Sequence, residues 1–387
     1  MENTATEDQS TDISKNFPLF NKLHAYEHEQ VVICSEPAIG LKAIIAIHDT
    51  TLGPALGGVR MWPYENEDEA IRDVLRLSRG MTYKAAISGL NLGGGKAVII
   101  GDSRKEKSES LFRAFGRYVD SLGGRYITAE DVGIEVQNME WVNMETKYVT
   151  GLPRAIGGSG DPSPVTAYGV YMGIKACAKK AYGSDSLEGK HIAIQGAGHV
   201  SSHLSRSLSD EGAKLVISDI YEDKVSALAK EVNAEVVDPD DIYGEDVDIF
   251  SPCALGGVVN DETLQQLSCD IIAGSANNVL DDEEKHGQML VDQGILYAPD
   301  YVINAGGLIN VASELEGFNE KRAHDQASKI YSTILDILNY ADENDITTTS
   351  ASNILAEKRI HDVGEIHKMY TSESKLSGHI GELYNHV

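Results

Sequence analysis

The chain has 387 residues, 42% of them hydrophobic and 24% charged, with a formal net charge of -27. That length exceeds one ordinary core and predicts two domains in a soluble globular protein. The acidic balance argues against nucleic acid and anionic membranes as partners, and no apolar run reaches the ~20 residues a membrane helix needs.

The opening "MENTATEDQSTDISKN" is polar and acidic, unlike a signal peptide, so it predicts a disordered tail over 1–15 and a cytoplasmic protein. Cys34, Cys177, Cys253 and Cys269 show neither CxxC nor Cys/His spacing, which predicts reduced thiols and no metal site. "LKAIIAIHD" (41–49) and "LGGVRMW" (56–62) read as strands around the turn-prone Gly53-Pro54. A helix is expected from near Glu65, with Glu67, Asp68 and Glu69 at its positive end. Its core face is Ala70, Ile71, Val74, Leu75 and Ser78, and the pattern runs past Gly80 into "MTYKAA".

"GLNLGGGKAVII" (89–100) looks like a phosphate cradle, but a P-loop needs Gly where Leu90 stands and Ser or Thr where Ala97 stands. Both requirements fail. The expectation is instead a glycine loop that lets something approach the backbone, with Lys96 pointed at it, followed by a buried strand over 97–100. Residues 108–122 predict a helix stopped by Gly123-Gly124, and "RYITAEDVG" (125–133) a strand ending in a carboxylate pair.

"GLPRAIGGSGDPSPV" (151–165) marks the domain boundary, dividing a first domain (16–150) from a second (151–334). A helix over 166–182 precedes a strand, a glycine turn, a helix and another strand, the ~30-residue βαβ pattern. In "GAGHVS", Gly196 allows the tight turn and Gly198 admits a pyrophosphate. Ala197, His199 and Val200 complete the turn, and Ser201 replaces the third glycine. Asp219, 23 residues after Gly196, would bind the ribose hydroxyls and repel a 2′-phosphate, which favours NAD. A purely structural turn capped by Asp219 is the alternative, and His199 alone reads as a solvent-facing residue. Further strands are expected in "DVDIFSPCA", "CDIIAG" and "GILYAP"; helices follow from 320, those of 335–387 packing back on the first domain.

Lys84, Lys96 and Asp131 belong together by their setting. Neighbouring, partly buried lysines lower each other's pKa, and an aspartate beside them can exchange protons with an amine. Singly, each lysine reads as a surface residue.

The motifs "LGGVRMW", "GMTYK", "GLNLGGGK", "RYITAEDVG", "DPSPVTAYGVY", "DIFSPCALGG", "AGSANN" and "APDYVINAGG" together resemble the Glu/Leu/Phe/Val amino-acid dehydrogenases, most closely the leucine branch. The resemblance runs from about residue 17 to about 370. It implies an α/β protein in two domains, an N-terminal substrate and assembly domain and a C-terminal Rossmann NAD-binding domain, with a cleft between them. Lys84 would bind the substrate carboxylate, Lys96 would activate water, and Asp131 would shuttle the proton of the amino group. Gly57 and Gly58 would leave room for the substrate backbone. Leu56, Met81, Ala129, Thr150, Leu308 and Val311 would wall the side-chain pocket. Ala254, Asn277 and Asn304 would lie along the cofactor. Leu56 and Val311 stand where glutamate enzymes carry Lys and Ser, which disfavours a second carboxylate. Leu308 replaces the valine common in the leucine branch, and His199 and Ser201 depart from its usual turn. The implied activity is reversible, NAD-dependent deamination of leucine, valine and isoleucine to 2-oxo acids and ammonium by a homo-octamer. Alternatives are a valine or phenylalanine dehydrogenase, and a non-catalytic NAD-binding sensor or scaffold.

Overall fold

The computed structural model describes residues 19–367, so the expected tail over 1–15 and the stretch after 367 lie outside the described residues. Helix α1 (Leu19–Tyr26) leads into strands β1 (Gln30–Glu36), β2 (Leu41–Asp49) and β3 (Ala55–Trp62). Helix α2 (Glu67–Ile87), β4 (Gly93–Ile100), α3 (Glu109–Ser121), β5 (Tyr126–Glu130) and α4 (Val136–Asn143) complete the first unit. Its sheet runs β1-β2-β4-β3-β5, with β4, β3 and β5 parallel and β1 and β2 antiparallel additions. Strand β2 reads as an unbroken apolar run because both of its faces are covered. Ile44 and Ala46 meet Ala70, Val74 and Leu75 of α2, while Ile45 and Ile47 meet Phe112 and Phe115 of α3. Each of these isoleucine, valine, leucine and phenylalanine side chains contributes about 1.5–3 kcal/mol by burial. Helix α2 starts two residues after the expected point because Asn66 caps it, accepting from the Glu69 amide at 2.9 Å.

The expected glycine loop is a strand. Gly93 to Gly95 open β4, with Gly93 opposite Ala55 and Gly95 opposite Ile47. A Cβ on Gly94 would stand 2.1 Å from the Thr82 amide of α2, and one on Gly95 would stand 2.7 Å from the Tyr126 ring. These glycines let a helix and an aromatic ring close onto the sheet, not a ligand onto bare backbone. Periodicity does not reveal such a strand, since glycine carries no side chain to alternate.

Helix α5 (Ser163–Tyr182) begins the second unit, followed by β6 (His191–Gln195), α6 (His199–Asp210), β7 (Lys214–Ser218), α7 (Glu222–Val232) and β8 (Glu235–Val236). Then come β9 (Ile249–Pro252), β10 (Ile271–Ile272), α8 (Glu283–Gln293) and β11 (Leu296–Tyr297). The sheet is wholly parallel in the order β11-β10-β9-β6-β7-β8. That is the doubly wound dinucleotide-binding order, whose direction reverses between β6 and β9.

Short helices α9 (Asp300–Ile303) and α10 (Gly306–Ala312) lead to α11 (Glu320–Ser328), α12 (Ile330–Asn344) and α13 (Thr348–His367). The return to the first unit begins at α13, later than the expected 335. Ile330, Ile334, Ile337 and Leu338 of α12 give it an apolar face that fits Val170 and Ile174 of α5. Helix α13 packs on α2 through Ala356 against Ala86. Its Arg359 donates to Ala86 O at 3.2 Å and Leu90 O at 2.7 Å, satisfying carbonyls at the end of the helix that carries Lys84.

Candidate active site

Lys96 projects from β4 and Asp131 lies one residue past β5, with β3 between them. Lys96 Nζ stands 2.9 Å from Asp131 Oδ2, and Arg60 Nε donates to the same oxygen at 3.0 Å. Burial pushes the Asp131 carboxyl up, but the Lys96 and Arg60 cations outweigh it and hold the group below the usual carboxylate range. Lys84, in the last turn of α2, donates from Nζ to Asn304 Oδ1 at 2.5 Å. Burial, aided by the Lys96 charge, lowers its amine to about 8, with Asp300 and Asp131 opposing. Asn304 is oriented in turn, since its Nδ2 donates to Asn277 Oδ1 at 2.7 Å and to Ser275 O at 3.1 Å. The Lys84–Asn304 contact thus joins the two units across the cleft.

Beside these groups lies one apolar cluster drawn from both units: Leu56 of β3, Met81 of α2, and Leu308 and Val311 of α10. Leu315 and Tyr148 belong to it as well and escaped the sequence reading. Leu315 stands one helical turn beyond Val311, a spacing that exposes it in hindsight; Tyr148 lies in a loop and gives no such signal. Ala129 is buried on β5, opposite Gly58. Thr150 is buried as well, and its amide donates to Thr128 O at 2.9 Å, which ties it to the residue before Ala129. A Cβ on Gly58 would stand 2.9 Å from Asp131 Cβ, and one on Gly57 would fall on Gly95 O. Both glycines therefore let Asp131 and β4 close over β3. Arg60 also went unread, because a lone arginine on a strand carries no pattern.

At the second sheet, Gly196 turns the chain out of β6 at φ +111°, a conformation other residues rarely adopt. Asp219 lies one residue past β7 and accepts from Ala197 N at 2.6 Å through Oδ2 and from Tyr221 N at 2.8 Å through Oδ1. It therefore ties the glycine turn to its own loop. Above Gly198 there is open space, since the nearest atom to a Cβ there would be Ser201 Oγ at 3.9 Å. Ser201 is buried and donates to Gly198 O at 3.2 Å, filling the place of the third fingerprint glycine. Val200 packs against the core, while His199, Ala254 and Asn277 are exposed. These residues gather at the carboxyl ends of β6, β7, β9 and β10, at the switch point where dinucleotides bind in such sheets. An open Gly198 at the start of α6, with Asp219 just past the adjoining strand, fits a dinucleotide.

A dinucleotide-binding sheet facing a paired lysine and aspartate across a cleft defines a two-domain, nucleotide-dependent dehydrogenase. Residues 28–148 match the Glu/Leu/Phe/Val dehydrogenase dimerisation domain. Residues 157–221 and 217–367 match the Glutamate/Leucine/Phenylalanine/Valine dehydrogenase domain. The chain belongs to this family of amino-acid dehydrogenases, which use a nicotinamide cofactor. It is 58% identical to the leucine dehydrogenase of Bacillus subtilis (strain 168), over 88% of this chain and 94% of that one. It is 48% identical to the phenylalanine dehydrogenase of Bacillus thermotolerans, over 94% and 96%. The crystal structure of L-tryptophan dehydrogenase from Nostoc punctiforme superposes with a TM-score of 0.81 at 48% identity, covering 89% of this chain and 99% of that one. Among the described residues no helix is long and apolar enough to cross a membrane.

Proposed function

We propose that this protein converts branched-chain L-amino acids, leucine foremost with valine and isoleucine, plus NAD⁺ and water to 2-oxo acid, ammonium, NADH and a proton, reversibly. The observation that carries this reading is the meeting of Lys84, Lys96 and Asp131 beside the apolar wall of Leu56, Met81, Leu308 and Val311. The Lys84 ammonium, steadied by Asn304, binds the α-carboxylate. The apolar wall takes an aliphatic side chain and leaves a second carboxylate without a partner, at a cost of several kcal/mol. Asp131 accepts a proton from the substrate ammonium group, and Lys96 takes one from the water that attacks the imine carbon left once Cα has given up its hydride. When bound, NAD⁺ supplies the hydride acceptor.

Gly196, Ala197, Gly198, His199, Val200 and Ser201 would hold its pyrophosphate, Asp219 its ribose, and Ala254, Asn277 and Asn304 its nicotinamide end. NAD is preferred to NADP because Asp219 offers a carboxylate where a 2′-phosphate would stand. The first unit (16–150) binds substrate and mediates assembly, the second (151–334) binds the cofactor, and the protein works in the cytoplasm. Ile33 on the edge strand β1 and Phe20 on α1 are 60% and 72% exposed, which favours self-association of that unit. Eight copies is the size the family resemblance implies. The reverse reaction tests the proposal: NADH, ammonium and 4-methyl-2-oxopentanoate should yield L-leucine on chiral chromatography. NADH left unconsumed with every branched 2-oxo acid would reject it.

A further inference from the structure

We propose that Arg60 is a positioning residue of this site: its guanidinium fixes the Asp131 carboxylate and remains its counter-charge when Lys96 turns to the substrate. The inference rests on the reaction proposed above. Lys96 Nζ and Arg60 Nε meet the same oxygen, Asp131 Oδ2, at 2.9 and 3.0 Å. That arrangement leaves Oδ1 as the oxygen to exchange a proton with a substrate amine.

The two cations are not equivalent. A lysine that acts as a base must first be neutral and regains its charge with the proton it accepts, whereas a guanidinium stays charged at any working pH. Without Arg60, the partly buried Asp131 carboxylate would have no fixed counter-charge while Lys96 stands neutral and ready to accept a proton.

The strand geometry sets this contact. Gly58 and Arg60 are two residues apart on β3 and so point to one face. Over that face Asp131 comes so close that a Cβ on Gly58 would stand 2.9 Å from its own. Arg60 is held at its far end too, since NH1 donates to Asp73 Oδ2 at 2.9 Å. Asp73 Oδ2 also accepts from Tyr64 OH at 2.7 Å, and Asp73 Oδ1 from Arg76 NH2 at 3.3 Å. Arg60 thereby links the catalytic carboxylate to the body of α2.

The charged and titratable groups facing Asp131 are Lys96 from β4, Arg60 from β3, Lys84 from α2 and Tyr126 from β5; Asp73 of α2 lies beyond Arg60. Removing one fixed positive charge favours the protonated form of every group facing it. The acid limb of the rate profile must therefore move to higher pH, whichever of these groups it reports.

The test compares Arg60→Gln and Arg60→Lys by kcat/KM for L-leucine across pH, with NADH affinity measured by fluorescence titration. Arg60→Gln should move the acid limb up by about one pH unit. It should also lower kcat by about tenfold or more through misplacement of Asp131, with NADH affinity within about twofold of the parent. Arg60→Lys should return the limb to the parent position and recover part of kcat. A slower Arg60→Gln enzyme whose limb has not moved overturns the proposal, as does an Arg60→Lys enzyme no better than Arg60→Gln. Should Arg60→Gln fail to fold, Asp73→Asn frees the far end while keeping the charge. A lowered kcat with the limb not raised then supports the proposal, and parent kcat refutes it. A parent protein that makes no NADH from any amino acid would instead sink the underlying reaction, and this inference with it.

Discussion

Leu308 offers the sharpest handle on substrate choice. It stands on α10, 7% exposed, in the cluster with Leu56, Met81 and Val311. Leu308→Val removes one methylene from the pocket wall. Loss of that contact is worth about 0.8 kcal/mol, roughly a fourfold fall in kcat/KM for leucine. The vacated space relieves crowding for a longer side chain, and one methylene is worth about 1–3 kcal/mol in discrimination, or roughly 10–200-fold. The ratio of kcat/KM for phenylalanine to that for leucine should therefore rise by about tenfold or more. Folding stability should fall by only about 0.5–1.5 kcal/mol, the usual cost of a one-methylene core truncation. Initial rates of NADH formation with leucine, valine and phenylalanine measure the ratio, and a thermal melt confirms the fold. A ratio changed by less than about twofold would show that Leu308 packs within the protein and does not face the substrate.

Lys96→Ala should lower kcat by about 10²-fold or more while NADH binding, followed by fluorescence, stays at the parent value; near-parent turnover would take Lys96 out of the chemistry. The unmodified enzyme should show higher kcat/KM with NAD⁺ than with NADP⁺, and parity between the two would contradict the role given to Asp219. Lys84 is ionised below about pH 8 and neutral above it. Inhibition by the unreactive carboxylate 4-methylpentanoate should accordingly be strongest below that pH and weaken about tenfold per unit above it. An inhibition constant that stays flat across this range would remove the carboxylate contact from Lys84.

Much of this molecule was legible in its sequence, and the exceptions share a cause. Strands β2 and β3 and the β6–α6–β7 unit announce themselves through apolar runs and a glycine turn, because their local chemistry and their fold agree. The start of β4 did not, since three glycines signal a loop until α2 and Tyr126 are seen closing on them. Strand β1 gave only a short mixed run, and its pairing with β2 is a tertiary fact. The pattern from 335 onward does not tell that the rest of α12 packs on the second unit, because amphipathicity shows that a face is buried but not against what. In the site, Lys84, Lys96 and Asp131 stood out within long motifs. Arg60 lies in one of those motifs without standing out, because its meaning arises only where β3 meets Asp131.

The central claim is tested most directly by kcat/KM for NADH formation from NAD⁺ over a panel of L-amino acids: leucine, isoleucine, valine, phenylalanine, tryptophan and glutamate. The account predicts leucine highest, isoleucine and valine close behind, phenylalanine and tryptophan poor, and glutamate unused. Phenylalanine or glutamate as the best substrate would contradict the pocket described here, and no NADH from any of the six would contradict the reaction itself.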